Sequence, residues 1–262
     1  MSLESPSGDG PGWSVILVGV SLLIVLAIVA VVALVGWYVY RAKQKRREAL
    51  FAFATRRGLG YSREDPFDLA DAYGFALFRK GDGRGCENVL TGVWGGLPVK
   101  EADYWYYEQT SNGRGGTTRD YSYFSVAVAD LSCSVPHVSI AHETFMTKLA
   151  EHLGFHDIEF ESERFNRAFR VSSGDREFAF RLIDARMMEW LLQMGTDFGF
   201  EVLGPNLLVS SGRRAPADLP SLFEAAVGFN ANIPDLVRRD DGIGAEPAGQ
   251  DPQTEHRERS PS

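Results

Sequence analysis

Residues 15–36 read VILVGVSLLIVLAIVAVVALVG, with no charged side chain and Ser21 as the one polar one. A helix that crosses the roughly 30 Å hydrocarbon core of a bilayer needs about 20 such residues. The many Val and Ile would weaken a helix in water. In lipid the backbone has no water to bond, so the intrahelical ladder forms whatever the propensity. Trp13 stands at one end and Trp37, Tyr38 and Tyr40 at the other; such rings favour the headgroup zone. A core helix of this length would show a polar stripe. A cleaved signal peptide would have a basic leader and a shorter apolar core, and residues 1–14 hold no Lys or Arg. The run is expected to be an uncleaved transmembrane helix over 13–40, in contact with the lipid bilayer.

Charge gives this helix a direction. Glu4 and Asp9 precede it, and Arg41, Lys43, Lys45, Arg46 and Arg47 follow it. The positive-inside rule puts the basic flank in the cytoplasm. The expected arrangement is a disordered extracytoplasmic tail over 1–12 and the span over 13–40. A basic neck and juxtamembrane helix over 41–57 follows, then a cytoplasmic domain over 58–239 and a disordered tail over 240–262. The five neck residues are the candidate contacts with anionic headgroups, each contributing about 1 kcal/mol near the surface. With so short a tail outside, no external sensor is expected.

The cytoplasmic part has the length and composition of one globular domain. Five of the 27 Lys and Arg lie in the neck and two of the 35 Asp and Glu precede the span. That leaves 22 basic against 33 acidic residues, a net −11 from residue 48 on. A domain so acidic repels nucleic acid, which is excluded as a partner. Cys86 and Cys133 are too few for a disulfide framework and read as small apolar residues in a reducing compartment.

Taken in order, 48–57 continues the neck as a helix, stopped by Gly58 and Gly60. Asp65-Pro66 opens a second short helix running through Leu69 to Tyr73. Strands are expected at 75–78, 87–94, 97–107, 121–131 and 137–141, an antiparallel meander of four or five. Gly95-Gly96 makes a two-residue hairpin, with loops at 81–85 and 111–120. Next come a helix over 144–153, an extended piece at 157–160 and a strand at 165–172. Helices at 177–183 and 185–194 follow, the second capped by Asp184 and stopped by Gly195. A second hairpin is expected at 198–203 and 207–211, turning at Gly204-Pro205-Asn206. A last helix starts at Pro220 after Asp218 and resumes at Pro234.

Few patterns carry chemistry. His137, His142, His152 and His156 are loosely spaced, and Gly154 breaks the face that the last two would share. No metal site and no cofactor is expected, and these read as surface and helix-end histidines. His142-Glu143 lacks the rest of H-E-x-x-H, and the glycines at 81–85 precede a strand where a phosphate loop would precede a helix. Glu159, Glu161 and Glu163 alternate toward water. The aromatic run is the candidate binding site. Tyr104, Trp105, Tyr106 and Tyr107 lie on one strand, with Tyr121 and Tyr123 on its expected partner. Alternation puts Trp105 and Tyr107 on one face and Tyr104 and Tyr106 on the other. At least one set is therefore covered by helices or open to a ligand.

The stretches ESERFNRAFRV at 161–171 and LIDARMMEWL at 182–191 resemble a group of uncharacterised bacterial single-span membrane proteins, a domain of unknown function. In that group a Phe-Asn-Arg core leads into an aromatic-x-Val strand and then a helix carrying Met and Trp. The resemblance implies this architecture and no activity; Phe165, Phe169, Val171, Met188 and Trp190 read as core.

The expected fold is α+β: one N-terminal transmembrane helix, then a cytoplasmic domain with an antiparallel sheet and packed helices. The expected function is non-enzymatic binding or scaffolding, with a protein or peptide partner at the inner membrane face. The alternative is a membrane-associated hydrolase using His142 or His152 with nearby carboxylates.

Overall fold

The computed structural model describes residues 11–112, 116–142 and 156–240. Helix α1 covers Pro11–Arg57. Among the described residues it is the one helix long and apolar enough to cross a membrane, and its apolar window is unburied. Contacts divide the chain into two units, Met1–Ala49 and Leu50–Ser262. In the first, Arg41, Lys43 and Lys45 are exposed and Arg46 and Arg47 are half-buried. The Arg41 guanidinium lies over the Trp37 ring.

The second unit is a seven-stranded antiparallel sheet with helices packed on it. With the one apolar helix, this is the α+β architecture expected from sequence. Strands β1 (Gly60–Glu64), β2 (Gly83–Trp94), β3 (Leu97–Asn112) and β4 (Gly116–Ala141) form a meander. Beyond it, β4 pairs with β6 (Arg170–Ser173), which pairs with β5 (His156–Ile158). Strand β7 (Gly199–Gly212) runs along the other side of β4, from Phe124↔Gly212 to Ile140↔Phe200. Gly95 and Gly96 hold φ of 56° and 83° in the β2–β3 turn, the left-handed conformations a two-residue hairpin demands.

Alternation along β3 makes two cores. Leu97 and Val99 point to one face. There they join Leu50, Phe53 and Ala54 of α1, Met187 and Leu191 of α5 (Ala185–Met194), and Phe223, Ala226 and Phe229 of α6 (Leu219–Asn232). Ala102, Tyr104 and Tyr106 point to the other, under Leu69, Phe75, Leu77 and Phe78. Asp184 caps α5 by accepting the Met187 amide at 2.8 Å, and Gly195 ends it with φ of 81°.

Several elements differ from expectation. Strand β1 begins at Gly60, with Leu59 between it and Gly58, and had no signal, being five mostly exposed residues. The second helix is shorter, α2 at Leu69–Ala72, because Asp65 spends its carboxylate on the amides of Phe67 and Leu69. Residues 75–78 are no strand. Leu77–Arg79 is a 3-10 turn, with Phe78 N donating to Phe75 O at 3.1 Å; a four-residue apolar run has no period to distinguish the two. The loops at 81–85 and 111–120 are mostly strand, since β2 starts at Gly83 and β3 and β4 stay paired out to Asn112↔Gly116.

The expected strand at 165–172 is half helix. Ser162 Oγ accepts the Phe165 amide and opens α3 (Glu163–Ala168), and only then does β6 begin. Phe165 and Phe169 fit both periods; the cap decides. Asn166 clamps the chain by bonding both N and O of Phe160, at 3.0 and 2.7 Å. The second hairpin does not exist. Gly204-Pro205-Asn206 is a bend inside one strand, matched by an irregularity in β4 between Asp130 and Val135, so the two strands bend together. Helix α4 (Arg176–Leu182) and α7 (Asp235–Asp240) lie where helices were expected. Helix α6 is longer and follows a 3-10 turn at Pro216–Asp218, with no side-chain cap from Asp218. The helix expected over 144–153 lies outside the described residues.

Candidate docking surface

Strand β3 grades from core to surface along one face. Leu97 and Val99 are under helices, Glu101 and Asp103 are buried polar groups, and Trp105 and Tyr107 are half-buried. The register places Trp105 opposite Tyr123 and Tyr107 opposite Tyr121 on β4. The four rings form one continuous surface. Trp105 and Tyr107 lie 6.4 Å apart and nearly parallel, as do Tyr121 and Tyr123 at 6.1 Å. Across the strands, Tyr121 is 5.9 Å from Trp105 and 5.3 Å from Tyr107. Tyr121 and Tyr123 are each 47 % exposed.

The rings lie flat because the neighbouring strand lets them. Across from Trp105 and Tyr107, β2 carries Gly85 and Gly83. A Cβ on Gly83 would stand 2.4 Å from the Tyr107 ring, and one on Gly85 3.0 Å from the indole. Glycine in a strand often marks such a close approach. Two cations border the shelf, with Arg119 4.8 Å above Tyr107 and Arg213 5.3 Å above Tyr123.

Arg213 is fixed from below. It bonds Asp103 at 3.2 Å and lies 3.8 Å from Glu87. Asp103 also accepts from Asn88 Nδ2 at 2.9 Å, and Asn88 Oδ1 accepts from Tyr61 Oη at 3.0 Å. Asn88 sits in the β2 bulge with φ of 58°. This chain of bonds anchors the inner edge of the shelf.

The six aromatic residues singled out from sequence thus divide. Trp105, Tyr107, Tyr121 and Tyr123 make the shelf. Tyr104 and Tyr106 are buried in the opposite core, Tyr104 Oη donating to Leu77 O at 2.9 Å. Burial, then the neighbouring Cys86, pushes the Tyr104 phenol up. Burial, then the Asp65 and Glu101 carboxylates, pushes the Cys86 thiol up, so it is a poor nucleophile. Sequence reasoning passed over Arg119 and Arg213, and read Gly83 and Gly85 as loop glycines where they are strand residues beside Tyr107 and Trp105. Two glycines spaced two apart, beside a strand with aromatics at the same spacing, was the available signal.

Among the described residues the histidines do not come together as a hydrolytic centre. His142 is half-buried at the end of β4, and His152 lies outside the described residues. His137 is the surprise, since it is not at the surface. Its Nε2 lies 2.6 Å from Oε1 of buried Glu201, which also accepts the Ala76 amide at 2.5 Å. The hollow there, lined by Leu77, Ser139, Glu201 and Ser210, has room for about one water, too little for a substrate. The pair ties the 75–79 turn to the sheet. Glu159, Glu161 and Glu163 are exposed. Among the described residues no three His, Cys, Asp or Glu side chains converge as metal ligands.

No protein-family model matches the chain, and no curated protein matches it. Among solved structures it is similar to the mycobacterial trehalose monomycolate transport factor A, at 16 % identity and a TM-score of 0.53. The match covers 72 % of this chain and 92 % of that one. At this identity the likeness is one of fold.

Proposed function

We propose that this chain is a membrane-anchored, non-enzymatic binding protein. Its folded unit lies in the cytoplasm and holds a protein partner at the inner membrane face through Trp105, Tyr107, Tyr121 and Tyr123. The observation that carries this reading is the outward shelf of four rings on a glycine floor. Tyr, Trp and Arg are the side chains that dominate binding energy at protein interfaces. A rigid shelf also loses little conformational entropy on contact.

The process served is membrane transport. The support is the shared fold with a protein named as a transport factor, together with a candidate span of its own. The orientation rests on Arg41, Lys43, Lys45, Arg46 and Arg47 following the span and no basic residue preceding it. The same five residues face anionic headgroups in this reading.

The test is site-specific photo-crosslinking in native membranes. A photoreactive residue at Tyr121 or Tyr123 should give one discrete protein adduct, lost in Trp105→Ala and Tyr107→Ala backgrounds. The same residue at exposed Phe180 is the control. No adduct at the shelf, or the same adducts from Phe180, would overturn the reading. Protease added to spheroplasts should leave the folded unit intact; its digestion would reverse the orientation.

A further inference from the structure

Next to the shelf, strand β4 has an edge that is open among the described residues. Strand β7 follows it only to Phe124↔Gly212, whereas β4 starts at Gly116. There Arg214 N turns away to Ser125 Oγ. Among the described residues, no strand pairs with that side of β4 over 117–123.

The direction of the backbone groups follows from the β2 side. Asp82 N donates to Tyr107 O at 2.8 Å, and Gln109 N donates to Asp82 Oδ2 at 2.7 Å. Tyr107 and Gln109 therefore direct their main-chain groups toward β2. In an antiparallel pair the residues opposite them then direct theirs away from β3. Those residues are Tyr121 and Arg119. Their amides and carbonyls face the side that β7 has left, and their side chains belong to the shelf.

The other face supplies the charge. Glu108 lies directly opposite Asp120, and both are exposed. Among the described residues neither makes an ion pair. Like charges in register repel, and a cation on a strand added beside Asp120 would relieve them. The segment is Thr-Thr-Arg-Asp-Tyr-Ser-Tyr, rich in strand formers and free of Pro.

We propose that the 117–123 edge of β4 takes an extended peptide of a partner protein as an added antiparallel strand. Its side chains alternate. Those toward Arg119, Tyr121 and Tyr123 are acidic or apolar, and those toward Asp120 and Ser122 are Lys or Arg. This deepens the docking reading above and rests on it. Main-chain bonds supply affinity and the alternation supplies register.

The probe is a capped nonapeptide alternating Lys with Glu or Tyr, titrated against the full chain in detergent micelles. It should bind, and a peptide of the same composition with its Lys in one block should bind at least about tenfold more weakly. Methylation of the peptide amides that would bond Arg119 and Tyr121 should have a similar effect. Arg119→Ala and Arg119→Pro both lose the guanidinium, but only the second loses the outward N–H. Proline there should weaken binding a further tenfold or so, since an edge proline leaves the β3 ladder intact. No binding at about 1 mM would overturn the proposal. So would equal binding of the blocked or methylated peptide; if that binding is still lost with Trp105→Ala, the shelf reading stands without strand addition. Binding unaffected by both Trp105→Ala and Tyr107→Ala would instead overturn the shelf reading. Binding that appears only after deletion of residues 241–262 would make the chain's own tail the occupant and overturn the assignment to a partner.

Discussion

The Tyr107 ring lies over the backbone of Gly83, so close that a Cβ on that glycine would stand 2.4 Å from it. The ring belongs to a half-buried side chain that can swing outward. Gly83→Ala should therefore tilt Tyr107 off the shelf without disrupting the sheet. The unfolding free energy, from urea titration of the full chain in micelles, should move by no more than about 1 kcal/mol. Shelf crosslinking should fall as far as in Tyr107→Ala. Full crosslinking with Gly83→Ala would mean that the flat ring is not what partners touch.

Neighbouring aromatic residues on β3 should respond to different degrees. Tyr104 is fully buried and bonded to Leu77 O, while Trp105 is half-buried among other shelf rings. Tyr104→Ala should cost about 3–5 kcal/mol of stability. Trp105→Ala should cost about 1 kcal/mol, the order of its ring contacts, while removing partner capture. Denaturant midpoints at constant slope would separate them. A Trp105→Ala variant as unstable as Tyr104→Ala would make the shelf part of the core.

This contrast was legible in the sequence because strand alternation is a local rule, and 104–107 obeys it. The Gly95-Gly96 turn and the Asp184 and Gly195 helix ends were legible for the same reason. What escaped depends on partners far along the chain. Arg213 reaches the shelf through Asp103, 110 residues away, and His137 meets Glu201 across 64. The Gly204 bend looked like a turn because the stretch of β4 that bends with it, between Asp130 and Val138, lies about 70 residues earlier in the chain. Strand β1 is held by pairing to β2 and by Tyr61 on Asn88, with too little apolar pattern to announce itself.

Glu201 joins three pieces of chain. It is on β7, it bonds His137 of β4, and it takes the Ala76 amide before the 3-10 turn. Glu201→Ala should cost about 1–3 kcal/mol, the order for leaving buried hydrogen-bonding groups without their partner. The loss should be local first. Hydrogen exchange at the Ala76 amide should accelerate well before that of β4 and β7. Uniform acceleration throughout the sheet would mean that Glu201 supports global stability and does not clip this turn.

Cys86 and Tyr104 face each other across β2 and β3, and burial raises both groups above their ordinary values. The unfolded thiol ionises near 9.0 and the unfolded phenol near 10.0. Above those values the folded chain binds more protons than the unfolded one, so stability falls as pH rises. Their contribution is fully present below about pH 9. It should fall by about 1.4 kcal/mol per pH unit through the Cys86 range, and more steeply once Tyr104 joins above about pH 10. Urea unfolding between about pH 8 and 10.5 should show this slope. In Cys86→Ala the portion between about pH 9 and 10 should be absent. An alanine variant that loses stability as fast as the parent there would show that the buried thiol is not its source.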